Sequence, residues 1–159
     1  MPIKNIAVSL AGGVASLVTA KYAIYLAKTL QAKLTAIYVV NENILHDLLK
    51  SRIFVEIEAK VYERDLEGQG KIFLDRIKSM AESKGVEFEA AILKGVVHDE
   101  VVNKTRDMNA DLLVIGELKE MLSRKDIFSD EGERIFRESP CPVVVVKNPQ
   151  EVERLYKES

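Results

Sequence analysis

The chain has 159 residues, 47% of them hydrophobic and 30% charged, which suits one domain over 1–159 and excludes disordered, collagen-like and low-complexity classes. A net charge of −2 without a local Lys/Arg cluster argues against a nucleic-acid partner, and the single Cys141 excludes an intrachain disulfide framework and a cysteine-rich metal knuckle. No apolar run approaches the ~20 residues of a membrane span, and Met1-Pro2-Ile3-Lys4 does not open a signal peptide, so a cytoplasmic chain without a membrane partner is expected.

Ile3 to Val8 reads as a first strand, ended by Ala11-Gly12-Gly13. From Val14 to Leu30 the apolar residues Leu17, Val18, Tyr22, Tyr25 and Leu26 recur at three- and four-residue steps, which predicts a helix. Leu34 to Val40 is a second strand, apolar enough to be covered on both faces as in a parallel sheet. A third strand is predicted over 86–93, after a C-capping Gly85. Gly95 then opens a helix carrying Val97, Val101, Val102 and Met108. Asp111 to Gly116 is a fourth strand, 130–138 a short helix, and Val143 to Val146 a fifth strand entered through Pro140-Cys141-Pro142. The tail from Pro149 to Tyr156 predicts one or two further helical turns. Strand and helix in alternation imply right-handed crossovers: an α/β three-layer sandwich, with helices on both faces of a parallel sheet. No internal repeat interrupts it.

Residues 41–83 are too long for one average crossover helix. A short helix near 43–50 is expected, then a long one that bends at Gly68 and Gly70. Ile53, Ile57 and Val61, continued by Tyr62, Leu66, Phe73, Ile77 and Met80, form an apolar stripe, read as core or dimer packing. The amphipathic stretch 41–70 has seven acids and four bases. It is expected to offer a surface to a protein partner, or a lid.

Several of these residues carry a family resemblance. Lys4-Asn5-Ile6-Ala7-Val8, Tyr25-Leu26-Ala27-Lys28 and Ala32 to Val40 look like the opening of a universal stress protein. Asn109-Ala110-Asp111-Leu112-Leu113-Val114-Ile115-Gly116 resembles the fourth quarter of that family, and Glu133-Arg134-Ile135 through Ser139-Pro140-Cys141-Pro142-Val143-Val144-Val145-Val146 its closing helix and strand. The resemblance implies a Rossmann-like, adenine-nucleotide-hydrolase-like fold with strand order 3-2-1-4-5. It also implies a homodimer paired through the last strand, and a stress-response role. Physics supports the dimer separately: Val143, Val144, Val145 and Val146 would be an uncovered apolar edge in a monomer. Pairing is favoured over a cover by the tail from Pro149 onward.

Ligands in open parallel sheets bind beyond the carboxyl ends of the strands where the order reverses, here after Val8 and Ile115. The nucleotide-binding branch of the resembled family has an acid after strand one, and after strand four a loop of Gly, two residues, Gly, nine residues, Gly, then Ser or Thr. In this chain Ala11 replaces the acid and Gly116 keeps the first glycine. Lys119, Ser129 and Asp130 take the other three positions. Residues 117–133 hold six acids against three bases. A carboxylate ~4 Å from a phosphate charge costs about 4 kcal/mol at an effective dielectric near 20, roughly a thousandfold in affinity. The expectation is therefore no cofactor, no catalysis, and a homodimeric interaction module. Asp130 and Glu131 would instead supply an internal anion to the 130–138 helix, with Asp130 and Glu133 as a capping box.

The alternative is a module binding ATP or AMP with Mg²⁺ through an atypical loop. It would use Leu10, Ala11, Val39, Val40, Ile115 and Gly116 around the adenine, and Ser129, Asp130 and Glu131 at the phosphates. A less favoured reading is an enzyme, since Ala11-Gly12-Gly13-Val14-Ala15-Ser16 faintly resembles the Ser-Gly-Gly-x-Asp-Ser loop of PP-loop ATP pyrophosphatases; it lacks the motif's Ser and Asp and fits a tight turn. His98-Asp99-Glu100, as neighbours on a helix, are expected to diverge rather than hold a metal. His46 beside Asp47 belongs on a solvated face, a carboxylate Mg²⁺ or Ca²⁺ site in 117–131 stays open, and Cys141 reads as a small apolar residue.

Overall fold

The computed structural model describes residues 2–52, 55–116 and 130–159. Its elements run β1 (Asn5–Leu10), α1 (Val14–Leu30), β2 (Lys33–Asn41), α2 (Glu42–Lys50), α3 (Glu56–Ser83), β3 (Phe88–Gly95), α4 (Val97–Asp107), β4 (Leu112–Ile115), α5 (Asp130–Glu138), β5 (Val143–Val145) and α6 (Pro149–Glu158). The five strands form one parallel sheet ordered β3-β2-β1-β4-β5.

Alternate side chains of the buried strands feed two cores, as a covered parallel sheet requires. On one face Val8, Leu10, Tyr38 and Val40 pack with Ile24 of α1, Leu74 and Ile77 of α3 and Val152 of α6. On the other, Ala7, Ile37, Leu113 and Ile115 meet Val101 of α4 and Ile135 of α5. The register sets Leu10 beside Tyr38 and Ile115 beside Val145, so the carboxyl ends of the central strands lie side by side.

Several expectations need correction. β1 runs two residues further than Val8, because Ser9 and Leu10 pair with Ile37 and Tyr38. β3 starts at Phe88 rather than Val86, whose main chain closes the end of α3 on Ala81 instead. Gly95 ends β3, and Val96 is the N-cap of α4. The tail forms a full helix, α6, capped by the Asn148 side chain accepting from Glu151 N–H.

The largest correction concerns the long crossover. α3 is one helix of 28 residues through both glycines. Its buried face is Ala59, Gly70, Leu74, Ile77 and Ala81, with Leu66, Phe73 and Met80 packed beside them. At 100° per residue Ile57 and Val61 project from the opposite side, and they are 76% and 50% exposed. They are surface residues, not core. Ile53 lies outside the described residues.

The tail does not cover the β5 edge. α6 docks on α1 through Val152, a Lys21–Glu153 ion pair of 2.6 Å and a Lys28 Nζ bond to the Ser159 carbonyl. The outer edge of β5 is left with no strand partner within the described chain. Among the described residues no helix is long and apolar enough to cross a membrane.

Candidate functional site

In a parallel sheet every helix that follows a strand begins at the carboxyl edge. The N-termini of α1, α4 and α5 therefore lie along this edge, that of α1 beside the point where the order reverses between β1 and β4. This rim is the candidate site.

Of the residues expected around an adenine, Leu10, Val40 and Ile115 are only 3%, 1% and 3% exposed. Their side chains are committed to the two cores. Val39 and Gly116 are half-buried and Ala11 is exposed, so the rim is formed by these. The main chain turns from β1 into α1 at Gly12 and Gly13, both at φ near +90°, a conformation L side chains seldom adopt. Ser16 secures that turn, its Oγ accepting from the Ala11 N–H at 3.0 Å. The double glycine thus serves a tight turn, as the sequence suggested. Gly116 faces α1: a Cβ there would come within 3.1 Å of Thr19 Oγ1. Helix packing is sufficient reason for that glycine.

Glu131 does something the sequence reading missed. Its Oε2 accepts from the His98 main-chain N–H at 2.7 Å and lies 2.8 Å from His98 Nδ1. The carboxylate thus caps α4, not its own helix, by filling an orphan donor in the first turn of the neighbour. Glu133 pairs with Arg137 one turn along α5; the Asp130 half of the expected capping box lies outside the described residues. Ser129 and the loop before it lie outside the described residues, as does the side chain of Asp130.

His98 is 9% exposed. Contrary to the expectation of divergence, its Nε2 comes within 3.2 Å of Asp99 Oδ1. Glu138, from the far end of α5, joins them, and the three ligand atoms lie within 4.8 Å of one another. Neighbours on a helix converge here because the ring is held by Glu131. Glu100 turns away and packs under Gly95. His46 is exposed, as expected. Cys141 is half-buried, and burial pushes its thiol above the ordinary value, the opposite of an activated nucleophile.

The resembled family implies ATP with Mg²⁺ at this rim. Among the described residues, the exposed position after β1 is an alanine and one first-turn N–H of α4, that of His98, already donates to a carboxylate, while 117–129, where the phosphate loop falls, lie outside the described residues.

The family model of the universal stress protein family matches residues 2–147. The chain belongs to that family. This universal stress protein is 32% identical over 151 residues to a universal stress protein of Methanocaldococcus jannaschii, covering 92% of this chain and 84% of the relative. A solved universal stress protein in complex with cAMP shares the fold with a TM-score of 0.67 at 19% identity, covering 92% of this chain and 98% of the other. One from Archaeoglobus fulgidus in complex with dAMP does so with a TM-score of 0.60 at 16% identity, covering 92% and 100%.

Proposed function

We propose that this universal stress protein is a non-catalytic regulatory module that works as a homodimer and does not take ATP at the strand-end rim. The observation that carries this reading is Glu131 on the first turn of α4. The family pattern puts a phosphate at the start of α5, where a helix N-terminus would hold it, and Glu131, from that start, keeps its carboxylate against the neighbouring first turn of α4, so a negative charge stands beside that position. A second anion beside it meets repulsion of about 4 kcal/mol per charge pair at ~4 Å and an effective dielectric near 20. Ala11 offers no side-chain acceptor to a ribose.

Dimerisation through the last strand is supported by the contrast between the two edges. β3, the other edge strand, carries Glu89 and Lys94, each in an ion pair with Lys33 or with Glu63 and Glu67. β5 carries three valines. Charge on one edge and none on the other is how a sheet that pairs through one side is built. For a protein partner, the 41–70 stretch offers Val55, Ile57 and Val61, all exposed.

Equilibrium titration with labelled ATP, with and without Mg²⁺, tests the central claim. No saturable binding in the micromolar range is expected, and micromolar binding overturns it. Cyclic AMP and AMP belong in the same titration, because solved proteins of this fold are complexes with cAMP and dAMP. Binding of either would replace the reading with a nucleoside-monophosphate module.

A further inference from the structure

We propose that His98, Asp99 and Glu138 form a site for a divalent transition metal of the zinc class, with Glu131 as the positioning residue of the histidine. Three observations converge on it. A ring nitrogen of His98 and one carboxylate oxygen each of Asp99 and Glu138 lie within 4.8 Å of one another, with His98 Nε2 3.2 Å from Asp99 Oδ1, a span that small side-chain rotations bring to metal-ligand separations. The histidine is nine-tenths buried, and Glu131 takes its Nδ1 side at 2.8 Å. The Glu131 carboxylate, accepting from the ring, fixes the tautomer with the proton on Nδ1 and leaves the Nε2 lone pair aimed at the two acids. Finally, among the described residues neither Asp99 nor Glu138 pairs with a lysine or arginine. Arg137, the basic residue next to Glu138, is engaged by Glu133.

The ligand chemistry decides which cation. One imidazole nitrogen with two carboxylates suits zinc and its first-row neighbours, whereas Mg²⁺ and Ca²⁺ favour all-oxygen sites. Three protein ligands, two of them exposed, leave the remaining coordination to water. The site bridges the first turn of α4 to the last turn of α5, so an ion there would clamp the two helices that cover one face of the sheet.

The test uses the full chain, stripped with chelator and titrated calorimetrically with zinc chloride. Uptake of one zinc per chain is expected, with His98 Nε2 shifting in long-range ¹H–¹⁵N spectra while His46 stays unmoved. Glu138→Gln, an exposed change that leaves folding intact, should weaken binding at least about tenfold, and Asp99→Asn likewise. Glu131→Ala should cost about 10–100-fold, and Glu131→Gln, which still accepts from Nδ1–H, should recover most of it. His46→Gln and Cys141→Ser should bind as the parent does. Absence of saturable zinc binding overturns the proposal. So does binding that survives Glu138→Gln and Asp99→Asn together, or that is lost with His46. Zinc binding is read without nucleotide, so its outcome is separate from that of the ATP titration.

Discussion

The ring of Tyr38 lies directly against the α-carbon of Gly70, so that a Cβ on the glycine would sit 2.5 Å from Tyr38 Cε1 and 2.7 Å from Cδ1. This contact lets α3 approach the sheet. The same ring reaches towards the β1–α1 turn, 3.6 Å from a Cβ on Gly12. Burial, with Tyr62 nearby, raises the Tyr38 phenol above its ordinary pKa, so it stays neutral under working conditions.

Two glycines one turn-fraction apart should therefore respond oppositely. Gly70→Ala forces the ring or the helix to shift and should cost about 1–3 kcal/mol. Gly68→Ala meets nothing within 4 Å and should gain about 0.5–1 kcal/mol from helix propensity. Urea unfolding of both variants measures this. Adding Tyr38→Leu to Gly70→Ala should recover part of the loss.

Asp111 ties the starts of two strands together. Its Oδ2 accepts from the main-chain N–H groups of Lys4 and Asn5, each at 2.9 Å, while its own N–H donates to the Asn5 carbonyl at 2.8 Å. The Asn5 bond first, then that from Lys4, holds the carboxyl below its ordinary value of 3.8. A depressed folded pKa contributes stability that is present above the unfolded pKa and is lost as pH falls through the folded one. Asp111→Asn should therefore be less stable than the parent at neutral pH, and the difference should close as pH drops below about 4. The Glu89–Lys33 pair titrates with the same sign but is present in both chains, so it cancels. A gap that widened on acidification would contradict the assignment.

The fold was legible because each strand is a short apolar run and each helix a periodic one. α1 and α5 follow the expected bounds residue for residue, and the order β3-β2-β1-β4-β5 is the one the family resemblance implied. The errors have physical causes. Hydrophobic spacing at Ile57 and Val61 imitates a buried stripe, and only the phase of Leu74, Ile77 and Ala81 along 28 residues shows which side meets the sheet. Contacts such as His98 with Glu138, or Tyr38 with Gly70, join residues far apart in the chain. No local pattern marks them. Asp111 was visible as part of a motif, but its work on the Lys4 and Asn5 amides was not.

Glu131 should be a stabilising residue in the metal-free chain. Its carboxylate is 24% exposed and serves both the amide and the ring of His98. Hydrogen bonds to a charged group are worth about 1.5–3 kcal/mol, and removing this one also leaves an imidazole unsatisfied in a buried place. Glu131→Val should lower stability by about that amount in chelator, measured by thermal or urea unfolding. An unchanged midpoint would show that the α4 cap contributes nothing to folding.

The β5 edge gives the last expectation. Leu113 N–H bonds to the Pro142 carbonyl, and Val146 N–H bonds to the Ile115 carbonyl. Even-numbered residues thus present their main chain to β4, and by strand alternation Val143 and Val145 present theirs to the open edge. Val145→Pro removes one outward donor and leaves the β4 ladder intact, which is the position where a strand tolerates proline. Light scattering on a sizing column should show the parent at twice the 17.9 kDa chain mass, and the variant at the chain mass with its circular dichroism retained. A parent that elutes as a monomer at micromolar concentration, or a variant that still dimerises, would move the interface away from β5. The exposed Ile57–Val61 side of α3 would then be the next face to substitute, with Ile57→Glu and Val61→Glu read on the same column.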